Sequence, residues 1–119
     1  MQRQCKTQAF SSVQLVLCDR GYNSLNHGRW RDRQLVSEKW LKDAVTPSAH
    51  GPDYGYLWWL NTRKQQWPSG PSTSFAAIGN GANTIWIDPE HDIVFVWHWH
   101  QGQAMDGMIQ RIVAAVSGS

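Results

Sequence analysis

The chain has 119 residues, a formal net charge of +2, 41% hydrophobic and 17% charged residues. That composition fits one globular domain and excludes an intrinsically disordered chain. So small a charge leaves no electrostatic footprint for nucleic acid, and no apolar run approaches the roughly 20 residues that cross a bilayer, so neither nucleic acid nor membrane is an expected partner.

Residues 1–8 are polar and without period, and are expected to form a poorly structured segment ahead of one lobe over residues 9–119. They lack the apolar core and cleavage site of a secretory signal. Cys5 and Cys18 show no metal or redox spacing, and no cofactor is indicated. From Phe10 to Leu25 the apolar positions fit a helix, which Asn26-His27-Gly28 would stop with glycine in the left-handed cap. Residues 29–36 alternate too briefly to be more than an extended connection. Ser37 is a candidate N-cap, with Glu38 in the first turn, for a second helix through Trp40, Leu41 and Val45 that ends before Pro47.

Tyr54-Gly-Tyr-Leu-Trp-Trp-Leu60 reads as a strand with both faces partly covered. Residues 61–72 are polar and punctuated by Pro and Gly, the pattern of a surface excursion. Two runs rich in β-branched and aromatic residues follow, Thr84 to Ile87 and Ile93 to Trp99, flanking Asp88-Pro89-Glu90-His91-Asp92. They predict an antiparallel hairpin. Upstream, Gly79-Asn80-Gly81 interrupts what would otherwise be one strand from Phe75, as a bulge or a place of close backbone approach. From Ala104 to Val116, Met105, Met108, Ile109, Ile112, Val113 and Val116 share one side of a helix. The whole predicts an α+β fold: an antiparallel sheet of about three or four strands with helices packed on it.

Nucleophile motifs are absent. Gly70-Pro-Ser-Thr-Ser74 fails the Gly-x-Ser-x-Gly elbow at its last position, and no lysine has serine or cysteine three residues before it. Tyr22-Asn23-Ser24 superficially matches a Tyr-x-Ser/Asn proton shuttle but falls in the first helix. His98 and His100 would share a strand face, yet no third metal ligand stands at a recognisable spacing, so no metal site is assigned. His91 with Asp88, Glu90 and Asp92 reads as a solvated turn. At Gly79-Asn80-Gly81 small residues would let a substrate lie against the main chain. The Asn80 N–H could then face a developing oxyanion, where a fixed donor is worth about 2.7–4 kcal/mol of barrier.

Several pieces occur in one order: Leu25-Asn-His-Gly-Arg-Trp30, Gln34-Leu-Val-Ser-Glu-Lys-Trp40, Tyr54-Gly-Tyr-Leu-Trp-Trp59, Phe75-Ala-Ala-Ile-Gly-Asn-Gly-Ala-Asn-Thr-Ile-Trp-Ile-Asp-Pro89 and Asp92-Ile-Val-Phe-Val-Trp97. Together, across about residues 19 to 116, they resemble the C-terminal part of serine hydrolases related to class C β-lactamases, a group with penicillin-binding esterases and 6-aminohexanoate-dimer hydrolases. The resemblance implies part of a β-lactamase/transpeptidase-like fold and acyl transfer through a serine ester. It places Ala77-Ile78-Gly79 at the family's Lys-Thr-Gly-like strand triplet, with Asn80 supplying the main-chain N–H of the oxyanion hole and Gly81 beside it. Ala77 stands where the triplet usually has lysine or histidine, and Ala82 where many relatives have glycine.

The Ser-x-x-Lys nucleophile segment and the first strands of the sheet have no counterpart. The expectation is therefore a lobe inactive alone, taking a small ester or amide only when completed by the missing N-terminal part. A competing expectation is a non-catalytic interaction module that pairs through an open sheet edge. Apolar sheet edge left uncovered predicts self-association in either case.

Overall fold

The computed structural model describes residues 23–118. The predicted first helix lies outside these residues except for its last turn at residues 23–25, as do Cys5, Cys18 and Tyr22. The Gly28 N–H bonds back to the Asn23 carbonyl at 2.8 Å, closing that turn. The left-handed cap falls on His27 (φ 56°), one residue earlier than expected, and Gly28 is also left-handed (φ 81°). Glycine is needed at 28 because an added Cβ would lie 2.1 Å from the Val36 carbonyl oxygen. That contact exists because residues 29–36 fold back as a miniature hairpin, β1 (Arg29–Trp30) on β2 (Arg33–Gln34).

Helix α1 (Glu38–Ala44) starts as predicted, with the Trp40 N–H donating to the Ser37 hydroxyl at 3.1 Å. The stretch from Tyr54 departs from expectation. Only β3 (Trp59–Leu60) is strand; Tyr54 bridges back to Trp59 around a tight loop in which Leu57 takes φ 66°. The strand begins only at Trp59 because the positive φ of Leu57 turns the chain aside before it.

Three longer strands form a meander: β4 (Phe75–Gly79), β5 (Asn83–Asp88) and β6 (Ile93–Trp97). With β3 they make a four-stranded antiparallel sheet in the order β3-β4-β5-β6. The fold is thus α+β, as the sequence pattern predicts. Registers put Ala76, Trp86 and Phe95 on one face and Ala77, Ile85 and Val96 on the other. The first face packs Trp67, Ala76 and Trp86 beneath Met105, Ile109 and Val113 of α2 (Met105–Val116). A 3₁₀ turn (Gly102–Ala104) leads into that helix. The second face gathers Leu60, Phe75 and Ile87 with Leu25, Val45 and Trp58. No helix among the described residues is long and apolar enough to cross a membrane.

Residues 61–72 are a surface excursion along 62–65, 68 and 72, which are exposed, but Asn61, Trp67 and Gly70 pin the loop to the core. Asn61 is fully buried, and Trp67 beside it is nearly so. The Asn61 amide donates to the carbonyls of Trp67 (2.8 Å), Pro71 (3.0 Å) and Gly70 (3.3 Å), while its oxygen accepts the Trp67 N–H (2.9 Å). One side chain therefore satisfies the backbone of an irregular loop that would otherwise leave buried polar groups unpaired. Asp106 ties the same loop to α2, accepting from the N–H and the hydroxyl of Ser69, both at 2.9 Å. In the β5–β6 turn Pro89, Glu90 and Asp92 are exposed as expected, but Asp88 follows the same logic as Asn61. Fully buried Asp88 accepts the N–H groups of Glu90 and His91 and sits 2.7 Å from His91 Nδ1.

Two outcomes follow. Replacing Asn61 with Ala strands buried donors and acceptors and should cost about 3 kcal/mol in urea unfolding, whereas a loss under about 1 kcal/mol would contradict its role. The Arg63 guanidinium, hydrogen-bonded to Asp53, holds that carboxyl below its ordinary value of 3.8. A depressed folded-state value adds stability above the unfolded value that is lost as pH falls through the folded one. Asp53→Asn should therefore flatten the pH dependence of stability below about pH 4 and leave it unchanged near neutrality.

Candidate functional site

The glycine break does not interrupt one strand. It reverses the chain: Gly79 pairs with Asn83, and residues 80–82 form the turn between β4 and β5. Gly81 (φ 77°) and Ala82 (φ 53°) both adopt left-handed conformations, which carry the chain through the reversal. The bulge expected at this point is thus a hairpin turn, and Asn80 lies exposed at its tip rather than within a strand.

The strand triplet occupies an edge. Because β3 ends after pairing Trp59 with Ala76 and Leu60 with Phe75, Ala77, Ile78 and Gly79 pair only with β5. Their other side carries no strand among the described residues. Ala77 is half-buried, and Ile78 and Gly79 are exposed. A strand edge of this kind offers main-chain donors and acceptors in fixed positions, backed by a sheet packed on both faces. It can align an extended amide or ester group and present an N–H to its carbonyl oxygen.

Residues beyond β6 complete the surroundings of the turn. Trp99, 77% exposed, packs its ring against Gly81, where an added Cβ would meet the ring at 2.2 Å. Asn83 holds this arrangement: its side-chain oxygen accepts the Trp99 N–H at 3.1 Å and lies 3.0 Å from His98 Nδ1. Its amide donates to the Asn80 carbonyl at 2.6 Å. His100 stacks on Trp97 with ring centroids 4.6 Å apart and places Nε2 2.8 Å from the Thr84 hydroxyl. The two histidines therefore serve separate partners. Among the described residues no group of three or more His, Cys, Asp or Glu side chains is placed to hold a metal ion. His98 Nε2 is buried without a hydrogen-bond partner.

Sequence reasoning places Ala77, Ile78, Gly79, Asn80 and Gly81 together, and the structure does bring them to one strand end and its turn. It misses Asn83 and Trp99. Asn83 lies directly after the glycine turn, yet nothing in its type or spacing marks which distant backbone it captures. The contact of Trp99 with Gly81 depends on the chain bending after Trp97, which sequence period does not encode. Comparison with known proteins finds no family model that matches the chain and no match among curated proteins.

Gly81→Ala should cost about 1–2 kcal/mol from the left-handed backbone alone and should displace the Trp99 ring. In the Trp99→Ala background the steric part disappears and the backbone part remains. An unmoved Trp99 indole resonance in Gly81→Ala would contradict this packing.

Proposed function

We propose that this chain is the C-terminal lobe of a serine hydrolase related to class C β-lactamases, keeping the oxyanion-side strand but not the attacking serine. The observation that carries the reading is the unpaired edge of β4 at Ala77, Ile78 and Gly79, ending at exposed Asn80. These are the positions at which the ordered motifs resemble the family's substrate-lining triplet and oxyanion donor. In the proposed role, Ala77 to Gly79 align the acyl group along the edge. The Asn80 N–H then donates to the carbonyl oxygen as it gains negative charge, and Gly81, on which the Trp99 ring packs, fixes the turn that carries it. The nucleophile and its base would come from a Ser-x-x-Lys segment that residues 1–119 do not contain. With alanine at position 77, the edge offers no cation to a substrate carboxylate, which suits neutral esters and amides better than β-lactams.

A second reading is favoured by a different observation. Among the described residues β6 is an outermost strand of the sheet, and an open strand edge suits a non-catalytic module that pairs with another chain.

Two measurements test the first reading together. A fluorophosphonate probe should leave the isolated chain unlabelled; stoichiometric labelling would show a nucleophile that the reading denies. Titration with a small neutral amide, N-acetylglycine amide at millimolar concentration, should shift the backbone amide resonances of Ala77, Gly79 and Asn80. Shifts confined to other residues, or none at all, would overturn the assignment of the edge.

A further inference from the structure

Trp99 stands beside the proposed oxyanion donor, yet the oxyanion chemistry makes no use of it. A single exposed tryptophan is ordinary on a protein surface. One whose position is fixed from several sides is not. The backbone of Trp99 is left-handed (φ 51°), a conformation that a bulky side chain adopts only under strain. Such strain persists where the surroundings over-determine it, and it gathers at ligand sites. Here Asn83 accepts the Trp99 N–H through its side-chain oxygen. The six-membered ring of the indole packs on Gly81, with Cζ3 2.2 Å and Cε3 2.5 Å from where a Cβ would stand. Only glycine at 81 admits the ring. Core packing does not explain the arrangement, because most of the side chain faces solvent.

Placement ties the ring to the reaction. Gly81 directly follows Asn80, and consecutive Cα atoms are about 3.8 Å apart. An acyl group aligned along Ala77 to Gly79, with its carbonyl oxygen at the Asn80 N–H, directs its leaving group past the turn and towards the indole. The residues around the ring select what that leaving group is. Residues 77–83 and 97–105 contain no Asp, Glu, Lys or Arg, so they offer a cation on the ring no carboxylate. A sugar needs side-chain hydrogen bonds around its rim, but Asn83 spends its amide on the Asn80 carbonyl and its oxygen on Trp99 and His98. His98 Nε2 is buried. A flat, neutral, apolar group suits the indole best.

We infer that Trp99 is a specificity residue, an aromatic platform for the leaving group, and that the substrate class is aryl esters and anilides; this rests on the hydrolase reading above. Two ligands that differ only in phenyl for methyl test it on the full chain. N-acetylglycine anilide should bind about tenfold more tightly than N-acetylglycine N-methylamide. The anilide should also move the Trp99 indole N–H resonance together with the backbone amides of Ala77, Gly79 and Asn80. Trp99→Phe should keep most of the preference, and Trp99→Ala should reduce it to less than about twofold. Equal affinity for the two ligands, with the backbone shifts present, would overturn the platform and leave the strand-edge reading standing. A preference that survives Trp99→Ala would overturn the platform too, by placing the phenyl group elsewhere. A preference lost in Trp99→Ala, with no shift at Ala77, Gly79 or Asn80 for either ligand, would overturn the strand-edge reading and the leaving-group assignment with it.

Discussion

The Trp86 indole, fully buried between Ala76 on β4 and Phe95 on β6 and covered by Met105 and Ile109 of α2, is the contact on which the other features depend. It fixes the order of three strands and seats the last helix at the same time. Its ring nitrogen is buried without a partner, a defect that costs about 1–3 kcal/mol. Removing a buried tryptophan costs about 3–5 kcal/mol, so packing outweighs the unmet N–H. On the opposite face Ile87, also fully buried, joins Leu60 and Phe75. β5 is therefore held from both sides, and the turns at its two ends hang from a rigid centre.

That rigidity allows the loops to be irregular. The buried side chains of Asn61 and Asp88, with half-buried Asp106, bond main-chain groups of loops or turns. Each replaces hydrogen bonds that regular structure would otherwise supply. The result is a sheet whose β4 edge carries no strand from Ala77 to Gly79 among the described residues, because β3 is too short to cover it. Exposure of main chain beside a fixed core is the physical basis of the proposed hydrolase lobe.

Much of the fold is legible in the residues because local signals agree with global packing. Ser37 caps its helix, the four-residue spacing of Met105, Ile109 and Val113 finds the sheet, and the two β-branched runs pair as expected. Legibility fails where one side chain acts at a distance. The polarity of residues 61–72 marks a surface loop but hides its buried anchor, because Asn61 supplies bonds to its backbone from outside any periodic element. Asp88 resembles a turn solubiliser but is a buried acceptor. Tyr54 to Leu60 has strand composition, yet Leu57 adopts a left-handed conformation that its type gives no reason to expect. At the candidate site the glycines do announce a special backbone and mark Gly79, Asn80 and Gly81, while Ala77 and Ile78 are named only through the family resemblance. The choice between bulge and reversal depends on pairing of Gly79 with Asn83, which only the folded sheet decides.

The account stands on a main-chain donor that is held rigidly and left free at the tip of the β4–β5 turn. Site-resolved amide hydrogen exchange reads both properties at once. The account predicts that the Trp86 and Ile87 amides exchange only through global unfolding, while the Asn80 amide exchanges near the rate of an unstructured peptide. Protection at Asn80 equal to that of the β5 amides would mean its N–H is already engaged, and would contradict the central claim.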